Sequence, residues 1–285
     1  MTPSSGSTAT RTTGLSDKEF ARFGEFIYQQ VGIKLPPIKK TMVEARLQKR
    51  IRLLGMSDHK QYLEFLFSQE GLTKELTNLI DAVTTNTTDF FREPQHFAFL
   101  VQQLLPAWFA NQGRSRILRL WSAGCSTGME PYTLAMVMSE YAEQNQGFHF
   151  NILATDISTQ ALQTAIMGIY DLDRVQPVPE LMKRKYLLRS KERSRRQVRI
   201  VPELRRRVDF GRLNFMEDFT FENPMDIIFC RNVVIYFDRP TQLQLFNKFC
   251  QVLDKGGHLF IGHSESIAGM DLPLRQVIPT VYQRV

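Results

Sequence analysis

The 285-residue chain has no apolar run long enough to span a bilayer. Its opening, MTPSSGSTATRTTG, lacks an apolar signal core, and its most apolar later run, DIIFCRNVVIYF, is interrupted by Arg231. Neither secretion nor membrane insertion is expected, and a cytoplasmic location follows. Cysteine is scarce: Cys125, Cys230 and Cys250 stand far apart with no C-x-x-C pair and no nearby histidine. This spacing predicts reduced core or turn thiols and no bound metal, with a catalytic Cys125 as the alternative. Also missing are an internal repeat and the G-x-G-x-x-G fingerprint of a dinucleotide site. At the strand end in IIFCRNVVIYFD there is neither [DNS]-P-P-[YF], used to methylate exocyclic base nitrogens, nor a Pro-Cys suited to attacking a cytosine ring. Any nucleophile would then come ready-made from the substrate.

The 43% hydrophobic content supports real cores, and the length suits about two domains. The net charge of +7 is concentrated, because the segment from Lys183 to Arg212 holds 13 Lys and Arg against 3 acids. Such a run is either a solvated face or an attraction to an acidic partner.

Ser16 and Glu19 form a capping box before a helix with Phe20, Phe23, Ile27 and Val31 inward, ended by Gly32. A second helix follows Pro36 and Pro37, with Val43, Leu47, Ile51 and Leu54 as one stripe. At 100 degrees per residue, Lys39, Arg46, Lys49 and Arg50 fall on the flank beside it. That flank is either a solvent-facing basic side or a dock for an acidic surface. HKQYLEFLFSQ and LTKELTNLIDAV read as two more helices. The organisation is then a disordered stretch 1–14, a helical domain 15–83, a Thr/Asn-rich linker 84–93 and an α/β domain 94–285. Strands alternating with helices predict a doubly wound, mostly parallel sheet. KYLLRS, QVRIV and RRRVDFGRLN read as a small antiparallel insertion at about 185–214, and one last strand lies near VIPTVYQ.

The most informative stretch is RILRLWSAGCSTGMEPYTLAM, from Arg116 to Met136: a buried strand, a small-residue turn, and a helix opened by Glu130 and Pro131. Gly124 and Gly128 permit close approach of a ligand to the backbone. Glu130 stands where a phosphate would otherwise sit, so an ammonium or sulfonium is favoured over an anion. S-adenosylmethionine (SAM) carries both cations and no phosphate. The next strand pattern ends in Asp156, which suits a ribose diol or else caps the helix beginning near Ser158. IIFCRNVVIYFD sets Arg231, Asn232 and Tyr236 at the carboxyl edge of the sheet, to bind a ligand or only to cap and pack the following turn.

TTNTTDFFRE, AGCSTGMEPYTLA, ATDIS, LNF, IIFCRNVVIYFD and GHSES, in this order behind a helical domain, resemble the chemoreceptor glutamate methyltransferase family (CheR) over nearly the whole chain. The resemblance implies a Rossmann-like SAM-dependent methyltransferase domain. It also implies that Asn86, Thr88 and Arg92 close over SAM, that Glu130 holds its amino group and Asp156 its ribose, and that Asn214 and Phe215 hold the adenine. Arg231 and Asn232 would line the region beside it. Arg92 and Tyr236 would face the reacting centre, Tyr236 as the closer contact because strong pairing with arginine blunts a carboxylate nucleophile. The implied substrates are glutamates on the acidic cytoplasmic methylation helices of chemoreceptors, which fits the basic flank. Met129 replaces a second acid found in some relatives. The loop SKERSRR lacks the glycines of members that grip a C-terminal peptide tether, so direct docking without a tether is expected. Two other functions stand beside this one: an RNA methyltransferase, against which SKERSRR offers no interleaved aromatics, and a non-catalytic adaptor that only binds SAM or its product.

Overall fold

A computed structural model describes residues 14–112 and 116–285, the side chain of Arg193 excepted. The stretch expected to be disordered lies, but for Gly14, outside the described residues. The chain divides into two compact units, Met1–Thr84 and Thr85–Val285.

In the first unit, helix α1 (Asp17–Val31) starts with the expected capping box and stops at Gly32, whose φ of 71° is left-handed. Helix α2 (Lys40–Leu53) buries Val43, Leu47 and Ile51, while Leu54 lies past its end, 37% exposed. Helix α3 (His59–Leu66) follows. The pattern expected to make one further helix makes two, α4 (Gln69–Lys74) and α5 (Leu76–Val83), broken at Glu75. The break turns the Glu75 carboxylate inward, where it is 1% exposed. There it accepts two hydrogen bonds of 2.7 Å from Arg50 and one of 3.1 Å from the Tyr62 hydroxyl.

Two members of the basic flank have partners within the unit. Arg50 is committed to Glu75, and Arg46 Nη1 donates to the carbonyls of Val83 (2.6 Å) and Thr84 (3.0 Å) at the end of α5, where helical carbonyls lack intrahelical donors. Lys39 belongs to a 3₁₀ turn (Pro37–Lys39) before α2, so helical phase does not carry to it. Lys49 is the exposed member of the set.

In the second unit, α6 (Pro94–Phe99), a π-helical turn (Leu100–Leu104) and α7 (Leu105–Gln112) precede β1 (Leu118–Ala123). Then come α8 (Met129–Gln144), β2 (Phe150–Asp156), α9 (Thr159–Met167), β3 (Ile169–Asp171), α10 (Glu180–Tyr186), β4 (Leu187–Arg189), β5 (Gln197–Ile200), α11 (Pro202–Arg205) and β6 (Val208–Arg212). The unit closes with β7 (Met225–Cys230), α12 (Arg239–Val252), β8 (Leu253–Ile261), β9 (Leu274–Ile278) and β10 (Val281–Arg284). The main sheet runs β6-β2-β1-β7-β8-β10-β9. The first five of these strands are parallel, and β10 and β9 are antiparallel. Strand β7 is buried at every residue, as a central parallel strand covered on both faces must be.

Two expectations are corrected. RRRVDFGRLN does not join the small sheet: β6 pairs parallel with β2, Val208 opposite Ile152. As an edge strand it is only partly covered, with Val208 buried and Asp209 and Arg212 exposed, which from sequence looks like a surface hairpin. The small antiparallel sheet takes β3 instead, in the order β3-β5-β4. The C-terminal segment is a hairpin rather than one strand, with Thr280 at its turn in the left-handed region (φ 63°).

Because Glu75 is buried and its pairing sets the α4–α5 break, Glu75→Ala should destabilise the helical unit by roughly 3 kcal/mol, the scale for breaking a buried ion pair. Urea unfolding of the full chain followed by far-ultraviolet circular dichroism would show an early loss of helix.

Candidate active site

Strand order reverses between β1 and β7, and the carboxyl ends of β1, β2 and β7 there deliver the residues singled out above. After β1 the chain passes through Gly124 (φ 85°), Ser126 (φ 50°) and Gly128 (φ 88°). The glycines serve packing as well as ligand approach: a Cβ on Gly124 would come 2.5 Å from Val233, and one on Gly128 2.7 Å from Ala165. Thr155 O receives the N–H groups of Gly124 (2.8 Å) and Cys125 (2.9 Å), pinning this turn to β2.

Asp156 is 8% exposed and accepts from the backbone N–H of Ser126 (2.7 Å) and of Ser158 (2.9 Å). It does not cap α9; Ser158 does, its Oγ accepting from Ala161 N at 3.1 Å. Asp156 therefore locks the loop after β1 to the loop after β2, with further lone pairs for a diol.

Glu130, 8% exposed at the start of α8, accepts from Ser122 Oγ (2.7 Å) and from Arg231 Nε (2.7 Å). Arg231, 7% exposed, also donates through Nη1 to the Arg92 carbonyl (2.7 Å) and to His96 Nδ1 (3.2 Å). The guanidinium of Arg231, which the resemblance set beside the adenine region, is engaged with protein groups that include Glu130. Asn232 adopts φ 61°, and its N–H donates to Glu265 at 3.0 Å. Glu265 also accepts from Val234 N (2.9 Å) and Gly262 N (2.6 Å). Burial pushes its carboxyl up, and these backbone donors pull it down.

Asn214 accepts from Met216 N at 3.1 Å, and Phe215 meets Trp121 (6.3 Å) and Phe249 (5.7 Å) edge to face. The linker is tied down along its length. Asn86 Nδ2 donates to Ser158 Oγ (3.4 Å) and its carbonyl accepts from Ser126 Oγ (2.9 Å). Arg174 donates to the Thr88 carbonyl and pairs with Asp89 at 3.3 Å. Phe90 is 1% exposed, edge-on to Tyr170. The Arg92 side chain is held more loosely, 3.5 Å from Thr87 O. Tyr236 is half-buried in a 3₁₀ turn (Val234–Tyr236) after β7, so the Arg231–Arg92 bond ties together the two segments that carry Arg92 and Tyr236.

Burial argues against the catalytic-cysteine alternative. Cys125 and Cys230 are buried, which pushes their thiols well up, and burial pushes Cys250 up to about 11. Among the described residues, Glu93, His96 and His263 gather possible metal-ligand atoms within 4.8 Å. The Arg231 guanidinium already places a cation there, 3.5 Å from Glu93 Oε2. Sequence reasoning gave no role to His96, Glu93, Glu265 or Arg174. Glu265 and Glu93 lie in the strings GHSES and TTNTTDFFRE without a role of their own, and nothing local to a single segment signals His96 or Arg174.

Residues 18–84 match the CheR methyltransferase all-alpha domain, and residues 86–282 match the CheR methyltransferase SAM binding domain. The chain belongs to the CheR methyltransferase family. It is 41% identical over 275 residues to a chemotaxis protein methyltransferase of Borreliella burgdorferi, covering 95% of each chain. It is 37% identical over 274 residues to that of Escherichia coli, covering 96% of this chain and 93% of the other. Chemotaxis protein methyltransferase 2 of Pseudomonas aeruginosa is also 37% identical, over 93% of this chain and 92% of its own.

This CheR protein is therefore a SAM-dependent methyltransferase, and its site fits that cofactor. Two buried carboxylates, Glu130 and Asp156, stand beside the turn after β1, a set that repels phosphate and suits an ammonium and a diol. Bound SAM supplies an electrophilic methyl group on a sulfonium.

Asp156→Asn should lower affinity for S-adenosylhomocysteine roughly tenfold or more, the scale of a charge-assisted hydrogen bond, as titration calorimetry would measure. Cys125→Ala should keep methyl transfer within about twofold, because a thiol held protonated by burial takes no part in chemistry.

Proposed function

We propose that this CheR protein esterifies glutamate side chains on the cytoplasmic helical bundle of chemoreceptors, giving γ-glutamyl methyl esters and S-adenosylhomocysteine. One observation carries this reading. The site gathers groups that hold a cationic cofactor, while no described group there is set up as a nucleophile: the thiols are buried and protonated, and His96 is pinned between Arg231 and Thr280. A glutamate carboxylate needs no such help. It is anionic at neutral pH, and its oxygen forms the new O–CH3 bond as the S–CH3 bond breaks, the sulfur keeping the electron pair. Carboxylate and sulfonium charges cancel, so no proton moves.

Catalysis is then in-line positioning with partial desolvation. Tyr236 donates to the attacking carboxylate and keeps it aligned. Arg92, on its loosely held side chain, supplies positive potential that draws the acidic segment in without a tight pair that would blunt the oxygen. Glu130 receives the cofactor ammonium, Asp156 the ribose, Asn214 and Phe215 the adenine, and Asn232 borders that site, with Asn86 and Thr88 covering it from the linker.

Docking is direct through the basic flank, whose exposed cation is Lys49, while Arg46 and Arg50 also hold the helical unit together. SKERSRR has no glycine to admit a peptide tether, and nucleic acid is not a partner. Ion pairs of Lys183, Lys185, Arg195, Arg196 and Arg206 with nearby acids support the last point, since they dilute the basic segment.

Incubation with methyl-labelled SAM and a chemoreceptor cytoplasmic fragment should give alkali-released methanol. Arg92→Ala should lower it several-fold, in line with loss of local positive potential, while cofactor binding persists. Absence of label across a broad receptor panel would overturn the substrate and favour RNA or a non-catalytic role. Lys49→Glu should raise the KM for receptor several-fold and leave the KM for SAM unchanged, in line with loss of long-range attraction.

A further inference from the structure

The Arg231–Glu130 pair is held from behind by groups far from it in sequence. His96 is 1% exposed. On one side its Nδ1 lies 3.2 Å from Arg231 Nη1, and on the other its Nε2 lies 2.8 Å from Thr280 Oγ1. Thr280 Oγ1 in turn donates to Pro279 O at 2.6 Å, so toward His96 it acts as an acceptor. That leaves one consistent proton arrangement: Nε2–H donates to Thr280, and Nδ1 presents a lone pair to the Arg231 N–H. Burial, then the positive charge of Arg231, then His263, lower the His96 pKa to about 3, so the ring is neutral. Thr280 is fixed by its place at the tip of the β9–β10 hairpin, with its carbonyl accepting from Ile261 N at 3.0 Å.

A second arrangement competes. Glu93 Oε2 is buried without a hydrogen bond and lies 3.5 Å from His96 Nδ1. A proton on Nδ1 would turn toward that carboxylate and present a donor to the donor of Arg231, loosening the guanidinium from Glu130.

We infer that His96 and Thr280 are positioning residues for SAM binding: the Thr280 hydroxyl selects the His96 tautomer that clamps Arg231, and Arg231 thereby aims Glu130 at the ammonium group of the cofactor. This rests on the assignment of the ammonium to Glu130. His96 and Thr280 touch neither cofactor nor substrate in this scheme. Because the ammonium does not react, a loosened Glu130 weakens ground state and transition state alike, raising the KM for SAM and leaving kcat unchanged.

The test uses the full-length protein. Thr280→Val removes the hydroxyl with little change of volume, and Thr280→Ser restores it. Calorimetric titration with S-adenosylhomocysteine should show about a tenfold loss for Thr280→Val, the effect of one charge-assisted hydrogen bond, and near-complete recovery for Thr280→Ser. KM for SAM should follow the same order at constant kcat. The ¹⁵N shifts of the His96 ring should report Nδ1 unprotonated in the wild type and in Thr280→Ser, and protonated in Thr280→Val. His96→Asn, which keeps an acceptor near the Nδ1 position, should bind more tightly than His96→Gln, which does not. Equal affinities for Thr280→Val and Thr280→Ser, or an Nδ1-protonated ring in the wild type, would overturn the relay. Glu130→Gln separates the two levels. If it leaves cofactor affinity unchanged, the ammonium assignment fails and takes the relay with it. If it weakens binding while Thr280→Val does not, the relay alone fails.

Discussion

Arg231, a buried arginine only 7% exposed, is the constraint around which the second unit is organised. Removing a charge from water costs several kcal/mol even in a relaxed protein interior, so Arg231 has to be matched by an opposite charge and by acceptors. Glu130 supplies the charge, and the acceptors come from the Arg92 carbonyl and from His96. Each partner lies on a different stretch of chain: the first turn of α8, the end of the linker, and α6. None of these can shift without leaving a buried charge unsatisfied. The pair therefore does for the catalytic end of the sheet what a hydrophobic contact could not do, because it fixes direction as well as distance.

The same economy extends to the loops that border it. Asp156 joins the loop after β1 to the one after β2, and Glu265 joins the loop after β7 to the one after β8, in both cases by a buried carboxylate accepting backbone N–H groups. Carboxylates suit this work because each oxygen accepts more than one bond, so several N–H donors at strand ends can converge on one side chain. An enzyme whose substrate arrives as its own nucleophile has little use for a tuned acid or base. What it needs is rigid placement of two molecules in line, and loops tied by charge-assisted bonds deliver that rigidity.

The parts of this arrangement legible in sequence are those whose physics is local. The strand–turn–helix from Arg116 to Met136 was readable because a buried parallel strand, a left-handed turn and a helix start each leave a composition signature within a few residues. Asp156 was readable from its place at the end of the next strand. Edge strands were not: β6 lies at the margin of the main sheet and is only partly covered, and a short polar-rich strand pattern does not distinguish that from a separate hairpin. Helical phase placed Arg46 and Arg50 on a common flank, but it carries no information about what stands opposite. Glu75 and the end of α5 lie 25 and 37 residues away in sequence. His96 reaches Thr280 across 184 residues, so only the folded sheet could reveal its partner.

Charge illustrates the same limit at larger scale and bears on recognition. The 13 basic residues between Lys183 and Arg212 look from sequence like one patch, yet they are spread over α10, the β4–β5 hairpin, α11 and β6. Lys185 sits between Glu140 and Glu143 at 2.7 and 2.6 Å, and Arg196 pairs with Asp173 at 3.1 Å. Exposed pairs of this kind contribute little to stability, but they shorten the reach of the field, since a cation beside its counterion looks neutral beyond a Debye length of about 8 Å. A polyanion that binds by releasing counterions needs unpaired cations in a row. Pairing within the basic segment lowers the number of unpaired cations that such a polyanion would meet there.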